Sequence, residues 1–281
     1  MAVHLGRQLG LVLGGGGIAG IAWHTGVLRG LAESGIDLSS AERLVGTSAG
    51  ATVAVQVGAG CSVADLFDRQ VDPASLATEL TPHLSVTDLW ERMAPIYTDS
   101  ADDAERRLRL GRLALEAETV DEAVRRRVIA ARLDGLDWAG DRVSVVAVEA
   151  ATGRRRVFDG TSGVDVVDAV AASCAVPGVW PPVTIDGARY VDGGIWSITN
   201  SDLAPGCTRV VVLAPIPDQS MHAELAGLGD GVATVVVTPD DASRAAFGTD
   251  VLDPAVREPS ARAGLAQGRA EAPRLAVLFD D

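Results

Sequence analysis

An α/β fold, with helices laid on the faces of a parallel sheet, is what this sequence predicts, and three observations carry the expectation. Two short apolar runs, at 9–13 and 43–45, each pass through a glycine-rich turn into a helical pattern. Strands that each feed a helix call for parallel pairing, because parallel neighbours need a crossover between them. Further β-branched runs recur at 142–150, 209–214 and 232–238. With 281 residues, 47% of them hydrophobic and 22% charged, the chain is long and apolar enough for a full-sized buried core.

The first strand, Leu9-Gly-Leu-Val-Leu13, is bounded by glycine and reads as buried. After Gly14 to Gly17 a helix follows, with Ile21, Val27, Leu28 and Leu31 apolar, Arg29 and Glu33 polar, and Gly35 as its stop. Arg43-Leu-Val45 is the second strand, and an apolar helix runs from Gly50 to about Gly58. From 65 to 140 the composition shifts to Arg, Glu, Asp and Leu at helical spacing. Val120, Val124 and Val128 recur at i, i+4 and i+8, with Arg125 to Arg127 mostly opposite. This stretch reads as a helical insertion over the sheet.

The strand at 142–150 is expected to turn at Thr152-Gly153 into a hairpin with 155–158. A helix at 164–174, a Pro-rich segment at 177–182 and a hairpin over 184–191, turning at Asp186-Gly187, come next. Strands at 209–214 and 232–238 precede an Ala/Arg-rich C-terminal helix. Without an internal repeat or a flexible linker, a single domain over 1–281 is the economical reading.

A net charge of −14 disfavours binding to phosphate backbones, so no nucleic-acid partner is expected. All 24 basic residues are Arg, which excludes a Schiff-base or P-loop lysine. Cys61, Cys174 and Cys207 are odd in number, far apart and without a CxxC. They argue against a disulfide framework and a zinc site, and for a reducing compartment. The N-terminus has too short an apolar run for a signal peptide. Residues 44–64 carry no charge, but their glycines, Thr47, Thr52 and Gln56 suit a buried strand–turn–helix better than a membrane span. The expectation is a soluble, cytoplasmic protein with no cofactor and no metal.

Three motifs bear on chemistry. Gly46-Thr-Ser48-Ala-Gly50 is a G-x-S-x-G between a strand and a helix. A serine at such a turn sits in a strained backbone, flanking glycines let neighbouring elements approach, and the helix N-terminus points its positive end at the hydroxyl. The pattern also arises by chance in a chain with 31 glycines; its context makes Ser48 a candidate nucleophile. The second motif, Gly14-Gly-Gly-Gly17-Ile-Ala-Gly20, has two functional readings. Gly15-x-Gly17-x-x-Gly20 matches a dinucleotide fingerprint, but no acidic residue ends the second strand to hold a ribose. Alternatively, bare backbone N–H groups form an oxyanion hole beside Ser48. A turn needed only for close packing stands beside both.

The third motif, Tyr190-Val-Asp192-Gly193-Gly194, places a carboxylate at a strand end, where it can take the serine's proton, although it also reads as an ordinary Asp-Gly turn. A Ser, Asp, His order leaves only His222, in a polar stretch without a supporting motif. His4 lies near the terminus, His83 in the insertion, and His24 reads as a packed or partly exposed helix residue.

Together with Ala172-Ser-Cys-Ala-Val-Pro-Gly178 and Pro181-Pro182, these blocks resemble a bacterial member of the patatin-like phospholipase family over roughly 8–215. The resemblance implies a three-layer α/β/α sandwich with a mostly parallel central sheet and a helical insertion. It implies a serine acyl-ester hydrolase acting on lipids, of phospholipase A or lysophospholipase type, that uses a Ser–Asp dyad. Ser48 is then the nucleophile and Asp192 the base, with Gly15, Gly16 and Gly17 as the oxyanion loop and Gly20, Gly46, Gly50, Gly193 and Gly194 in support. The implied partner is a lipid or acyl ester, with room for transient contact with a membrane surface; no oligomeric state follows. One departure is Ala19, where the family usually has Arg or Lys. It keeps open a catalytically weak or silent lipid-binding relative, beside the less favoured dinucleotide-binding oxidoreductase.

The insertion is the natural lid. Trp90, Met93, Ile96 and Tyr97 read either as the lining of an acyl groove or, more simply, as core. Arg125 to Arg127 and Arg154 to Arg156 read as solvated surface ahead of a headgroup contact, and Cys174 as a small buried residue.

Overall fold

The computed structural model of the chain describes residues 8–72, 79–82, 84 and 86–279; His4 and His83 lie outside them. The order is β1 (Leu9–Leu13), α1 (Gly17–Glu33), β2 (Arg43–Thr47), α2 (Ala49–Gly58), then the insertion α3 (Val63–Val71), α4 (Val86–Asp99), α5 (Asp103–Glu116) and α6 (Glu122–Leu133). There follow β3 (Val143–Glu149), β4 (Arg155–Phe158), α7 (Val166–Ser173), β5 (Val183–Ile185) and β6 (Ala188–Asp192). The chain continues with β7 (Arg209–Leu213), α8 (Ser220–Ala226), β8 (Ala233–Val237), α9 (Asp241–Phe247) and α10 (Arg257–Ala276).

The eight strands form one mixed sheet in the order β5-β6-β3-β2-β1-β7-β8, with β4 also paired to β3. Strands β3, β2, β1, β7 and β8 are parallel; β4, β5 and β6 pair antiparallel. Side chains alternate between the two faces, as the pleat requires. Leu11, Leu13, Leu44, Val145 and Leu213 pack with α1, α2 and α7, while Val12, Val45, Val146, Val210 and Val212 pack with Leu203 and with Met221 and Leu225 of α8. The second face is therefore covered by α8 and loops over the β1 and β7 side, and by α4 and α5 over Val148 of β3 and Val191 of β6.

Helix α1 is buried along most of its length because α10 lies against it. Gly26 and Gly30 on one helix and Gly264 and Gly268 on the other let the backbones touch. A Cβ on Gly264 would come within 2.5 Å of Trp23 O, and one on Gly26 would strike Ala261 O. The buried Trp23 indole donates to Gln267 Oε1 at 3.0 Å and Ser243 Oγ at 3.2 Å.

The solvated reading of Arg125 is corrected. Val120 precedes α6, so the apolar stripe is not the one drawn from Val120, and Arg125 points inward with Val128 and Ile129. Arg126 pairs with Asp168, and Arg127 is exposed. Arg154 and Arg156 are exposed, while Arg155 is held by Asp202 at 2.7 Å. No helix among the described residues is long and apolar enough to cross a membrane.

Candidate active site

The register of β3 brings the two motif residues together. β2 runs parallel to it and ends with Thr47 opposite Val146; β6 runs antiparallel and ends with Asp192 opposite Ala147. Two strand ends thus converge on neighbouring residues of one strand, and Ser48 follows Thr47 directly. Ser48 has φ 53° and ψ −115°, a conformation costing a side-chain-bearing residue on the order of 1–3 kcal/mol. Space for the turn comes from Gly46 and Gly50: a Cβ on Gly46 would sit 2.5 Å from Ala51 Cα, and one on Gly50 would strike Leu13 O. Helix α2 starts at Ala49, so its positive end faces the hydroxyl.

The segment after α7 ties the two residues into one frame. Ser48 N donates to Ser173 Oγ at 2.9 Å, Cys174 Sγ donates to Ser48 O at 3.2 Å, and Asp192 N donates to Ala175 O at 2.9 Å. From the other side, Asn200 Nδ2 donates to Thr47 Oγ1 at 3.0 Å. Only the Ala172 to Gly178 block signalled any of this in the sequence, and Asn200 gave no signal.

Asp192 is buried, and its Oδ1 accepts from Gly194 N at 2.7 Å. Oδ2 has no hydrogen bond within ordinary limits, yet the Ser48 hydroxyl is near enough to favour the ionised form. Ser48 and Asp192 are thus neighbours at the ends of β2 and β6 without an ordinary hydrogen bond to Oδ2. Burial pushes the carboxyl up from 3.8 to about 6, opposed by the Ser48 hydroxyl and the Gly194 amide.

The glycine loop lies beside the hydroxyl: a Cβ on Gly15 would be 3.6 Å from Ser48 Cβ. Gly15 N is already committed to Ile198 O at 2.9 Å, and Gly14 N to Leu213 O at 2.9 Å. The amides of Gly16 and Gly17 have no partner among the described residues. Gly17 has φ 64°, and a Cβ there would sit 2.7 Å from Val251 O. Of the three glycines expected to donate, Gly15 thus has its amide already engaged, and those of Gly16 and Gly17 are unengaged among the described residues. Ala19 is buried in the first turn of α1, with its N–H on Val251 O at 3.0 Å.

Ser48, Asp192 and Gly15 to Gly17 line one cavity of about 380 Å³. Its walls include Leu89, Trp90, Met93 and Tyr97 of α4, Arg125 and Arg132 of α6, and Trp180, Trp196 and Ile216. Ile96 packs in the core with Leu89 and Met93 instead of lining it. His222 is exposed on α8, away from these walls. His24 is buried in α1, its Nε2 3.3 Å from Leu213 O, and burial pushes it down to about 3, so it stays neutral.

The family described as patatin-like phospholipase has a model that matches residues 11–202. Among solved structures, VipD from Legionella pneumophila is similar over 96% of this chain and 67% of its own, at 14% identity and a TM-score of 0.51, a likeness of fold. The type III effector protein ExoU aligns with 95% of this chain and 53% of its own length, at 16% identity and a TM-score of 0.42. No curated protein matches the chain significantly.

Proposed function

The chain belongs to the patatin-like phospholipase family, and from that premise we propose a serine acyl-ester hydrolase acting on lipids, with Ser48 as nucleophile and Asp192 as its base. The observation that carries this reading is a strained serine, a buried carboxylate oxygen and two amides, the latter three without a partner among the described residues, all lining one apolar cavity.

Asp192 Oδ2 takes the Ser48 Oγ proton as Oγ attacks the ester carbonyl. The Gly16 and Gly17 amides donate to the oxyanion that forms. Collapse of the tetrahedral intermediate breaks the ester C–O bond, and the leaving alcohol recovers the proton from Asp192. Water, deprotonated in turn by Asp192, attacks the acyl-serine; the fatty acid leaves and the proton returns to Ser48. A carboxyl raised to about 6 is mostly ionised at neutral pH, yet more basic than an ordinary carboxylate.

A lipid surface fits the rim. Of the six large hydrophobic side chains exposed among the described residues, four line this cavity: Trp90 (56% exposed), Tyr97 (41%), Ile216 (41%) and Trp196 (36%). Arg106 stacks on Tyr97, and Arg107 and Arg155 stack on Trp196. The chain is one domain, with the insertion at about 65–140 as its lid. The unpaired thiols of Cys61, Cys174 and Cys207 suit a reducing, cytoplasmic location.

A second reading, a silent lipid-binding relative, rests on Ala19, which leaves the first turn of α1 without the motif's cation. Release of p-nitrophenol from p-nitrophenyl acyl esters, and of fatty acid from glycerophospholipid vesicles, separates the two. The wild type is expected to hydrolyse both and Ser48→Ala neither; equal turnover by Ser48→Ala would sink the proposal.

A further inference from the structure

Three guanidinium groups surround one buried carboxylate, and two of them, Arg125 and Arg132, line the cavity. Glu79 Oε1 accepts from Arg132 Nε and from Arg257 Nη2, both at 2.9 Å, and Oε2 accepts from Arg132 Nη2 at 2.6 Å. Both oxygens are engaged, and Arg125 Nη1 is left 4.0 Å from Oε2, beyond hydrogen-bond range. The Arg125 side chain is 6% exposed, and its Nε and Nη1 have no hydrogen-bond partner among the described residues. Its guanidinium carbon lies 3.8 Å from the Trp180 ring centroid, a stacking that orients the group without using its N–H bonds. The segments 73–78, 83 and 85, which flank Glu79 in sequence, contain no Asp or Glu.

Arg125, Arg132, Trp180 and Cys174 line the same cavity as Ser48 and Asp192. The Cys174 thiol, which donates to Ser48 O, is pushed up by burial to about 11 and supplies no anion at neutral pH. Three buried cations around a single carboxylate leave positive charge in excess, which is costly. In a chain of net charge −14, such a group beside a reacting serine is placed for a ligand anion.

We propose that Arg125 recognises an oxyanion, phosphate or carboxylate, carried on the lipid close to its scissile ester, with the Arg125 N–H groups as donors and the Leu89, Met93 and Trp180 surface taking the alkyl chain. This rests on Ser48 and Asp192 being the reacting pair, because it names the substrate class of that same site.

The test uses ligands that cannot be hydrolysed. Binding of 1-O-octylglycerol 3-phosphate and of 1-O-octylglycerol, and of octanoate and octanol, is measured by titration calorimetry on the whole chain, on Arg125→Gln and on Arg125→Lys. The wild type is expected to favour one or both anions over their neutral partners by roughly tenfold or more, as charge-assisted hydrogen bonds allow. Arg125→Gln is expected to lose that preference and Arg125→Lys to recover part of it. Preference for the phosphate assigns the oxyanion to a headgroup, and preference for octanoate assigns it to a carboxylate; both support the site. Equal affinity for charged and neutral ligands, or no binding of any of them, overturns it in the wild type alone, whether or not Arg125→Gln folds. Anion preference without ester hydrolysis would remove the hydrolase reading and leave the site; hydrolysis without anion preference would do the reverse.

Discussion

The α1–α10 seam and the Ser48 elbow are built with the same device. At Gly264 a side chain would collide with Trp23 O, and at Gly50 with Leu13 O, so each glycine lets two backbones touch. What surrounds the contact differs. In the seam the Trp23 indole, Ser243 and Gln267 bond to one another, and Gln267 Nε2 closes on Thr238 O at 2.7 Å. At the elbow Ser48 sits at φ 53°, and Asp192 Oδ2 and Arg125 Nε, buried beside the same cavity, have no hydrogen-bond partner among the described residues. His24 Nδ1 on α1 and Ser260 Oγ on α10 are also buried without a partner among the described residues. An unsatisfied polar group therefore points to a ligand only where, as at the elbow, it belongs to a residue lining a cavity.

Loss of either dyad residue has the steepest consequence. Ser48→Ala and Asp192→Asn are each expected to lower kcat/KM for a p-nitrophenyl ester by roughly 10⁴ or more, with little further loss in the double variant, because the pair acts as a unit. Near-normal turnover by Asp192→Asn would direct attention to His222.

Next comes the seam. Gly268→Val drives a side chain into the backbone of Val27 and is expected to cost about 3 kcal/mol or more, read from urea unfolding. Unchanged stability would mean that the helices are not in close contact.

The elbow should behave in the opposite sense. The Asp192 carboxyl is raised from 3.8 to about 6, so the folded chain holds this proton more tightly than the unfolded chain. Its contribution to stability is therefore lost as pH rises from about 4 through 6. Asp192→Asn is expected to unfold at a higher temperature than wild type at pH 8, by the equivalent of roughly 1–3 kcal/mol, with the gap closing near pH 4. A lower melting temperature at pH 8 would contradict the buried-carboxylate account.

The mildest effect is kinetic: kcat/KM of the wild type should fall on the acid side with an apparent pKa of about 6, as Asp192 takes up its proton. A limb near 4 would mean a solvated carboxylate.

The elbow was legible in the sequence because its motif residues lie on an apolar strand and at the start of a helix, where only a tight turn fits. The seam was not. Gly264 and Gly268 sit in an Ala/Arg-rich segment whose partner lies at the other end of the chain, and no local pattern identifies that partner. The buried Arg125 escaped for a related reason: a stripe counted from Val120, outside α6, puts Arg125 on the wrong face, and burial between insertion and core leaves no clear polar side. The use of the Gly15 amide by Ile198 O likewise depends on a loop distant in sequence.

The most direct test of the dyad is covalent labelling with a fluorophosphonate, mapped by peptide mass spectrometry. A single adduct is expected on Ser48, with a rate of formation that collapses in Asp192→Asn and is unchanged in His222→Ala. An adduct on another residue, or labelling of Ser48 that survives Asp192→Asn and fails in His222→Ala, would contradict it.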